Sequence, residues 1–196
     1  MRKQPRQQRS RDMVDRLVQA TAHCMTLHGL DGFTTHQVAD EAGVSVGSLY
    51  QYFESREDLV QALMDKVMSQ LVHGLNTQVL GKTTDLREVV ELAVRFGFAF
   101  LRADDGLGLE MVRNWHRLPT QNVVRLLQDV LMDFMRLYLL KNPTHRQPQR
   151  LQVRGFIVAN SVVFTMIRAI SEPSPFLNED DLAQELVQMV VAYLES

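Results

Sequence analysis

The sequence predicts an all-α protein: a three-helix head followed by a larger helical body, about nine to ten helices in total. Three observations support this fold class. Apolar residues recur at helical spacing along most of the 196 residues, and no segment alternates apolar and polar residues as a half-buried strand does. Short helical segments separated by glycines come first, and much longer ones follow.

Composition and charge restrict the class of protein. Hydrophobic residues make up 45% of the chain and charged residues 22%, which is typical of a globular protein. A single cysteine, Cys24, excludes a disulfide framework and favours the reducing cytoplasm. The longest uncharged apolar stretch, Gly155–Ile167, is shorter than the roughly 20 residues that cross a bilayer. We therefore expect a soluble cytoplasmic protein with no membrane partner.

Capping residues and glycines divide the first sixty residues into short helices. Serine and threonine side chains accept hydrogen bonds from the free N–H groups of a helix start, and glycine is common just past a helix end. The predicted starts are Ser10, Thr34, Ser45 and Ser55, and the predicted ends are Gly29, Gly43 and Phe53. Thr34 and Gln37 have the spacing of a capping box.

Longer helices are expected beyond residue 55. They are predicted at residues 56–76, 84–103, 109–118, 119–140, 149–171 and 179–194. Proline-containing or glycine-containing loops separate several of them, and no repeat at solenoid spacing is present.

The stretch GVSVGSLYQYF, residues 43–53, has the pattern of the second half of a helix-turn-helix unit. Ala39 is small where two helices must approach closely, Gly43 lies in the turn, and Leu49 and Phe53 have the spacing of a buried pair. The exposed face would then carry Gly47, Ser48, Gln51 and Tyr52. Serine and glutamine can hydrogen-bond to base edges, whereas a tyrosine hydroxyl suits a phosphate oxygen. The alternative is a generic helical hairpin.

The segment TTHQVADEAGVSVGSLYQYFESREDLV resembles the DNA-binding head of the TetR family of bacterial one-component regulators. The resemblance extends over about residues 10–62 and implies an all-α homodimer, with a DNA-binding head and an effector-binding body in each subunit. It implies a DNA-binding domain at residues 1–56 and an effector-binding and dimerisation domain at 57–196. It also implies phosphate contacts by Thr35, Tyr50, Tyr52 and Arg56, and base or backbone contacts by Ser45, Gly47, Ser48 and Gln51.

Position 46 departs from the family pattern. Many relatives have Lys, Arg or Pro where this chain has Val46. A valine cannot hold a phosphate, but it can contact a thymine methyl group. We therefore include Val46 among the predicted DNA-binding residues.

Basic charge is concentrated in the N-terminal segment of the chain. Residues 1–16 contain two acidic groups, Asp12 and Asp15, and six basic groups: Arg2, Lys3, Arg6, Arg9, Arg11 and Arg16. The segment is polar and rich in glutamine, so we predict a flexible arm that contacts phosphates or a minor groove. The alternative is a solvated tail.

No constellation of residues supports catalysis or a cofactor. The six histidines never have the spacing of a helical metal site, and no glycine-rich phosphate-binding loop is present. Cys24 lies on the apolar stripe of the first helix, where packing explains it better than nucleophilic chemistry. We predict that the protein is not an enzyme and has no metal or cofactor.

The body is expected to dimerise and to bind a small effector. The helix from Gly155 to Ile170 is apolar almost all round, and a second copy together with the 119–140 helix would cover it, although burial within one subunit is the alternative. The predicted effector-binding residues are Phe96, Phe100, Met111, Trp115, Asn160, Phe164 and Arg168, for which core packing or a solvated face is the alternative.

The sequence thus predicts a dimeric repressor that binds a pseudo-palindromic DNA operator and is released by a small-molecule effector of unknown identity. Two alternatives remain: a DNA-binding regulator without an effector, and a helical small-molecule carrier.

Overall fold

The computed structural model describes residues 4–80, 82–83, 85–103, 106–118, 125–126, 128–134, 136 and 148–195. Within these residues the chain forms helices, turns and loops, and no strand. The all-α prediction is confirmed for this part of the chain.

Helix α1 spans Gln4–Gly32 and is longer than predicted. The expected start at Ser10 is wrong, because the helix already includes the polar residues before it. Glutamine and arginine are good helix formers, and a proline such as Pro5 is tolerated in the first turn. The predicted flexible arm is therefore helical from Gln4 onward, and its first three residues lie outside the described residues. Gly29, the predicted end, is the point where the helical conformation is interrupted, at φ 74° and ψ 167°.

Helices α2 (Thr35–Glu41) and α3 (Val46–Leu49) are defined by side-chain caps and one glycine turn. Thr34 and Gln37 form the predicted capping box at the start of α2. After α2, Gly43 has φ 65°, its N–H donates to Asp40 O at 3.0 Å, and the Val44 N–H donates to Ala39 O at 2.9 Å. This pair of bonds is a Schellman motif, which requires a residue in the left-handed conformation.

Helix α3 is shorter than predicted. Ser45 caps it as expected, its Oγ accepting the Ser48 N–H at 3.1 Å, but the helix ends at Leu49 and the chain continues as turns to Tyr52. Backbone hydrogen bonds from Tyr52 and Phe53 to the Leu49 carbonyl keep these turns compact. The segment therefore retains the predicted alternation between buried and exposed positions.

The head has a well-filled apolar core. Leu17, Met25, Val38 and Leu49 have no exposed surface, and Phe33 is 1% exposed. Thr21 is the buried polar residue among the described side chains, and its hydroxyl donates to the Leu17 carbonyl at 2.8 Å. These side chains form the core of the head, in which α1 packs against α2 and α2 against α3.

Helix α4 (Arg56–Gly74) begins at the predicted Ser55 cap and changes to a π-helical segment at Leu75–Leu80. Asp58 accepts the Ser55 N–H at 3.0 Å, and the Ser55 hydroxyl accepts the Asp58 N–H at 3.1 Å. The π-helical turn was not predicted, because apolar periodicity does not separate it from an ordinary helix end. Such turns are frequent at functional sites.

The remaining helices follow the predicted order. They are α5 (Leu86–Arg102), α6 (Leu107–Arg113), α7 (Pro148–Ser171) and α8 (Glu179–Glu195). Residues 128–134 are also helical, but most of the helix predicted at 119–140 lies outside the described residues. Asp85 caps α5 by accepting the Glu88 N–H at 2.9 Å. Helix α6 starts at Leu107 rather than Leu109, and turns continue from its end at Arg113 to Arg117.

The described chain falls into two compact units. One comprises the described residues up to Val67 together with residues 106–118, so α6 packs with the head helices. The other comprises residues 68–103 and the described residues from 125 onward. These units describe packing, and the functional boundary after residue 56 stays a prediction.

Helix α7 buries one face and exposes the other. Val158, Ala159 and Met166 are buried, whereas Phe156 is 57% exposed and Ile157 is 42% exposed. Its segment Gln152–Ser171 is long and apolar enough to span a membrane by length and composition alone, and 22% of it is buried. This segment is longer than the predicted uncharged stretch, Gly155–Ile167, because it extends past the arginines at both ends of that stretch. Arg154 donates to the Leu194 carbonyl at 3.1 Å, which ties α7 to α8. The burial pattern is that of a helix with one packed face and one uncovered face.

Candidate nucleic-acid interface

Helix α3 and the turn after it have exposed residues on their surface and buried apolar side chains beneath them. Leu49 is completely buried and Phe53 is 8% exposed. Gly47 and Gln51 are exposed, and Tyr52 is 38% exposed. These three predicted positions are therefore accessible to another molecule. Their contacts with DNA stay predictions.

Ser45 and Ser48 form a hydroxyl pair at the start of α3. Their Oγ atoms are 2.8 Å apart, and Ser45 Oγ also accepts the Ser48 N–H. Each hydroxyl has one donor and two acceptor positions, so the pair keeps hydrogen-bonding capacity toward a base edge. Val46 follows Ser45 and is half-buried, so only part of its surface is available to a thymine methyl group.

A second hydroxyl pair joins the start of α2 to the end of α3. Thr35 Oγ1, in the first turn of α2, lies 3.2 Å from the phenol oxygen of Tyr50, just after α3. Tyr50 is 49% exposed. The structure thus brings two of the predicted phosphate ligands together. Two neighbouring hydroxyls can donate to the oxygens of one phosphate group.

Arg56, another predicted phosphate ligand, has an internal role. Its Nη1 donates to the Leu30 carbonyl at 3.1 Å, and its guanidinium lies over the Phe33 ring, 5.3 Å from the centroid. These contacts hold the start of α4 against the end of α1. The predicted phosphate contact of Arg56 stays a prediction beside this structural role.

Gly47 faces open space. A Cβ atom built at this position would have Ser45 Oγ, 3.9 Å away, as its nearest neighbour. Its φ does not lie in the left-handed region that would require glycine. The fold of the described chain therefore does not need glycine at position 47, and the close approach of another molecule would explain it.

Arg16 is a positioning residue that the sequence did not identify. Its Nη2 donates to the Ala42 carbonyl at 2.9 Å, so it attaches α1 to the turn between α2 and α3. Arg9 lies seven residues earlier, two helical turns, and is therefore on the same face of α1. Arg11 is exposed on a different face. A pairing between residues 26 positions apart leaves no sequence signal.

The predicted effector-binding residues are placed in different surroundings. Phe96 and Phe100 lie one turn apart on α5, with ring centroids 5.8 Å apart. The Phe96 ring lies so close to Gly74 that a Cβ atom there would overlap it. Met111 is buried in α6, and Trp115 is half-buried in the turn after α6.

Three further predicted effector-binding residues lie on α7. Asn160 donates to the Phe156 carbonyl at 2.7 Å, and Arg168 pairs with Glu172 at 2.8 Å. Phe164 is 48% exposed. Periodicity places these residues on the same side of α7 as Phe156 and Ile157, away from the buried Met166. Their effector contacts stay predictions.

The described residues contain no group of three or more His, Cys, Asp or Glu side chains that could hold a metal ion. Cys24 is buried, and its burial raises the pKa of the thiol, with a smaller contribution from the charge of Glu41. A raised pKa keeps the thiol protonated and unreactive. This supports packing as the role of Cys24.

Comparison with known families gives two matches. The family described as bacterial regulatory proteins, tetR family, matches residues 17–63. The family described as tetracyclin repressor-like, C-terminal domain, matches residues 85–194, more than half of the chain.

Individual relatives match over shorter segments. The HTH-type transcriptional activator FasR of Mycolicibacterium smegmatis is 40% identical over 68 residues, which cover 35% of this chain and 31% of FasR. The nucleoid occlusion factor SlmA of Vibrio vulnificus is 28% identical over 109 residues, 55% of this chain and 54% of SlmA. The chain thus spans about half, or less, of the length of these relatives.

Solved structures share the fold over nearly the whole chain. A TetR-family transcriptional regulator from Haemophilus influenzae has a TM-score of 0.67 and 18% identity, covering 95% of this chain and 98% of its own. The regulator FadR from Bacillus subtilis, solved with stearoyl-CoA, has a TM-score of 0.69 and 14% identity, covering 91% of this chain and 98% of its own.

The helix-turn-helix geometry, the all-helical fold and the two family matches agree. The chain belongs to the TetR family of bacterial transcription regulators, which are non-enzymatic DNA-binding proteins, as the sequence predicted.

Proposed function

We propose that this protein is a cytoplasmic, ligand-responsive transcriptional repressor that binds a pseudo-palindromic operator as a homodimer and is released by a small effector. The observation that carries the DNA-binding part is the exposed surface of α3 and the turn after it, where Gly47 leaves space for another molecule and Gln51 is exposed. The Thr35–Tyr50 hydroxyl pair lies beside it.

The uncovered face of α7 supports the homodimer. Val153 is 59% exposed, Phe156 57% and Ile157 42%, and all three lie on neighbouring turns of one helix. A contiguous apolar surface of this kind is costly in water and marks an interaction site. Two-fold pairing of α7 with its copy would cover it, because the same patch then meets itself.

The effector is proposed to be an apolar molecule. Phe96 lies against Gly74, where α4 gives way to the π-helical turn, and its ring neighbours that of Phe100, with centroids 5.8 Å apart. The Bacillus subtilis fatty acid metabolism regulator protein is 25% identical over 93 residues, 47% of this chain and 47% of its own, and the FadR structure contains stearoyl-CoA. A long-chain acyl-CoA is therefore the first effector class to test.

Selection from genomic fragments tests the proposed function. The purified chain should enrich a duplex with two related half-sites, and stearoyl-CoA should release that duplex in a mobility-shift assay. Coenzyme A without the acyl chain is the control and should release none. A chain that enriches no duplex over random DNA would overturn the proposal in favour of a helical carrier. If acyl-CoAs did not change DNA binding, the proposal that the effector is an acyl-CoA would be wrong.

Gly47→Ala is expected to change stability and DNA binding in opposite directions. Alanine favours a helix over glycine by roughly 0.5–1 kcal/mol, and the space at position 47 accepts a methyl group. At the DNA surface the same methyl group overpacks the contact, at about 1–3 kcal/mol, and lowers operator affinity about fivefold or more. Urea denaturation and mobility shift measure the two effects.

Gly32→Ala is the matched control for this change. Gly32 is exposed at the end of α1, and a Cβ atom there would make ordinary contact with His28. It should leave operator affinity unchanged. Equal operator affinity of the wild type and the Gly47→Ala variant would mean that nothing approaches α3 closely at this position.

Arg9→Gln is expected to weaken binding to all duplexes and to reduce its dependence on salt. Arg9 shares a face of α1 with Arg16, which contacts the turn before α3, so its charge lies on the side of the recognition elements. Losing one phosphate contact per subunit lowers the slope of log K against log salt by up to ~0.9 for each contact. Arg11→Gln removes the same charge from another face and should leave the slope intact. If both variants had the same slope, Arg9 would contact solvent and not a phosphate.

A further inference from the structure

The ring of Phe96 lies in a notch that Gly74 leaves at the end of α4. A Cβ atom added to Gly74 would lie 2.7 Å from Phe96 Cε2 and closer still to Cζ. Carbon atoms that are not bonded prefer a separation of about 3.5–4.0 Å, so no larger residue fits at position 74 while the ring stays there. The φ of Gly74 lies outside the left-handed region, so the backbone does not require glycine. The Phe96 ring does.

The backbone beside this notch has an unusual conformation that a side chain supports. The π-helical segment Leu75–Leu80 begins directly after Gly74. Thr77 Oγ1 donates to the His73 carbonyl at 2.8 Å, so a hydroxyl satisfies a carbonyl group where the hydrogen-bond pattern of the helix changes. Turns of this kind are rare and are frequent at functional sites. The notch is therefore part of a wall whose position is fixed by its own hydrogen bonds.

The rest of the Phe96 side chain is incompletely covered. Val94 and Phe98, one turn apart on α5, are each 2% exposed, so the stripe that they form is filled. Ala93, Phe96 and Phe100 have helical spacing on the adjacent side of α5 and are only half-buried. Covering such apolar surface with another apolar group is favourable. The Phe96 ring thus lies between the filled notch and apolar surface that another molecule can cover.

Few other positions are open to the Phe96 ring. In a helix the χ1 angle of an aromatic residue is about 180° or −60°, because the third rotamer collides with the preceding turn. A ring expelled from the notch must therefore swing as a rigid body. The filled stripe of Val94 and Phe98 leaves it only the half-buried side of α5. The size of residue 74 therefore decides how much apolar space beside α5 stays free.

We propose that the Gly74 notch sets the longest apolar chain that the effector can have, because it holds the Phe96 ring out of the space that this chain fills. The inference rests on the proposed acyl-CoA-responsive function and names the residue that determines its chain-length specificity. A methyl group at position 74 would displace the ring into that space. Long chains should be affected first, since a short chain leaves part of the space unfilled.

Direct binding of acyl-CoAs to the full chain, measured by titration calorimetry without DNA, tests the notch. In the wild type, affinity should rise from octanoyl- through dodecanoyl- to stearoyl-CoA, by up to about fourfold for each buried methylene. In Gly74→Ala the rise should stop at a shorter chain. If the displaced ring excludes two methylenes, the affinity for stearoyl-CoA falls about 15-fold, whereas octanoyl-CoA binds as it does to the wild type.

Gly97→Ala is the matched control for the notch. A Cβ atom at Gly97 would lie 3.0 Å from Met166 Sδ and 3.1 Å from Met166 Cε, and an unbranched methionine side chain can adjust to it. The change adds the same methyl group to the residue after Phe96, but it does not fill the notch. This variant should keep the wild-type dependence of affinity on chain length.

Two further variants separate chain-length selection from ordinary packing. Phe96→Trp enlarges the ring while Gly74 is unchanged, so it should shorten the preferred chain as Gly74→Ala does. The double variant Gly74→Ala, Phe96→Leu carries a smaller side chain beside the added methyl group and should recover most of the lost stearoyl-CoA affinity.

The outcomes distinguish the inference from the function on which it rests. The same dependence on chain length in the wild type and in Gly74→Ala would overturn the role of the notch, as would a loss that Phe96→Leu does not relieve. If Gly74→Ala did not fold, a wild-type profile in Phe96→Trp would overturn it instead. A wild type that binds no acyl-CoA would contradict the proposed effector class, and the inference with it.

Discussion

Replacing Ile157 with glutamate is expected to convert the dimer into monomers and to lower operator affinity by about 100-fold or more. Ile157 is 42% exposed beside Val153 and Phe156 on the uncovered face of α7. If that face pairs with its copy, each dimer would bury two glutamates in an apolar contact. An unpaired buried charge costs several kcal/mol, and each 1.4 kcal/mol corresponds to about tenfold in affinity. Light scattering at micromolar concentration measures the oligomeric state, and mobility shift measures the loss of DNA binding.

Leu27→Glu is the matched control for the dimer interface. Leu27 is 62% exposed on α1 in the head, so the change adds the same charge to another exposed aliphatic position. This variant should remain a dimer. A wild type that is already monomeric, or an Ile157→Glu variant that stays dimeric and binds the operator, would contradict the assignment of the α7 face.

Local chemistry made the head predictable. The caps at Thr34, Ser45 and Ser55 and the turn at Gly43 each use a few neighbouring residues, and all four were found where the sequence placed them. The start of α1 was predicted wrongly because the polar composition suggested a flexible arm. Glutamine and arginine also favour helix, and α1 begins at Gln4.

Contacts between distant residues could not be predicted. The Glu110–Leu30 bond joins residues 80 positions apart and the Arg117–Asp31 pair residues 86 positions apart, and nothing in the periodicity of either segment indicates its partner. Glu110 and Arg117 resemble ordinary surface charges in the sequence. Only the fold shows that they close on an interrupted helix.

Helix α7 shows a second limit of periodicity. A helix that is apolar almost all round is expected to be buried on most sides. The sequence pattern does not say which face is buried within its own subunit. The structure buries Val158 and Met166 and leaves Phe156 and Ile157 exposed. Phe164 and Arg168 follow the exposed side, where a second subunit is expected, so their predicted effector contacts need testing separately from those of Phe96 and Phe100.

Leu49→Ala is expected to unfold the head and abolish binding to every duplex, while the dimer remains. Leu49 has no exposed surface, and it is the buried residue of a helix of only four residues. Truncating a buried leucine costs about 2–5 kcal/mol. At roughly 0.05–0.15 kcal/mol per residue, a head of this size has only a few kcal/mol of stability, so the change removes most of it. Hydrogen exchange should rise throughout residues 35–53, and light scattering should still report a dimer.

Tyr52→Phe supplies the comparison on the opposite face of the same turn. Tyr52 is 38% exposed and is predicted to contact a phosphate, so removing its hydroxyl should leave the head folded. The loss of one hydrogen bond is worth about 0.5–1.5 kcal/mol per subunit, and it should weaken operator and random DNA in the same ratio, because phosphates carry no base sequence. Leu49→Ala should abolish both kinds of binding with a disordered head, and Tyr52→Phe should weaken both with an ordered one. If Leu49→Ala kept slow exchange in residues 35–53 and still bound the operator, Leu49 would not anchor α3. If Tyr52→Phe weakened operator binding alone, Tyr52 would contact a base.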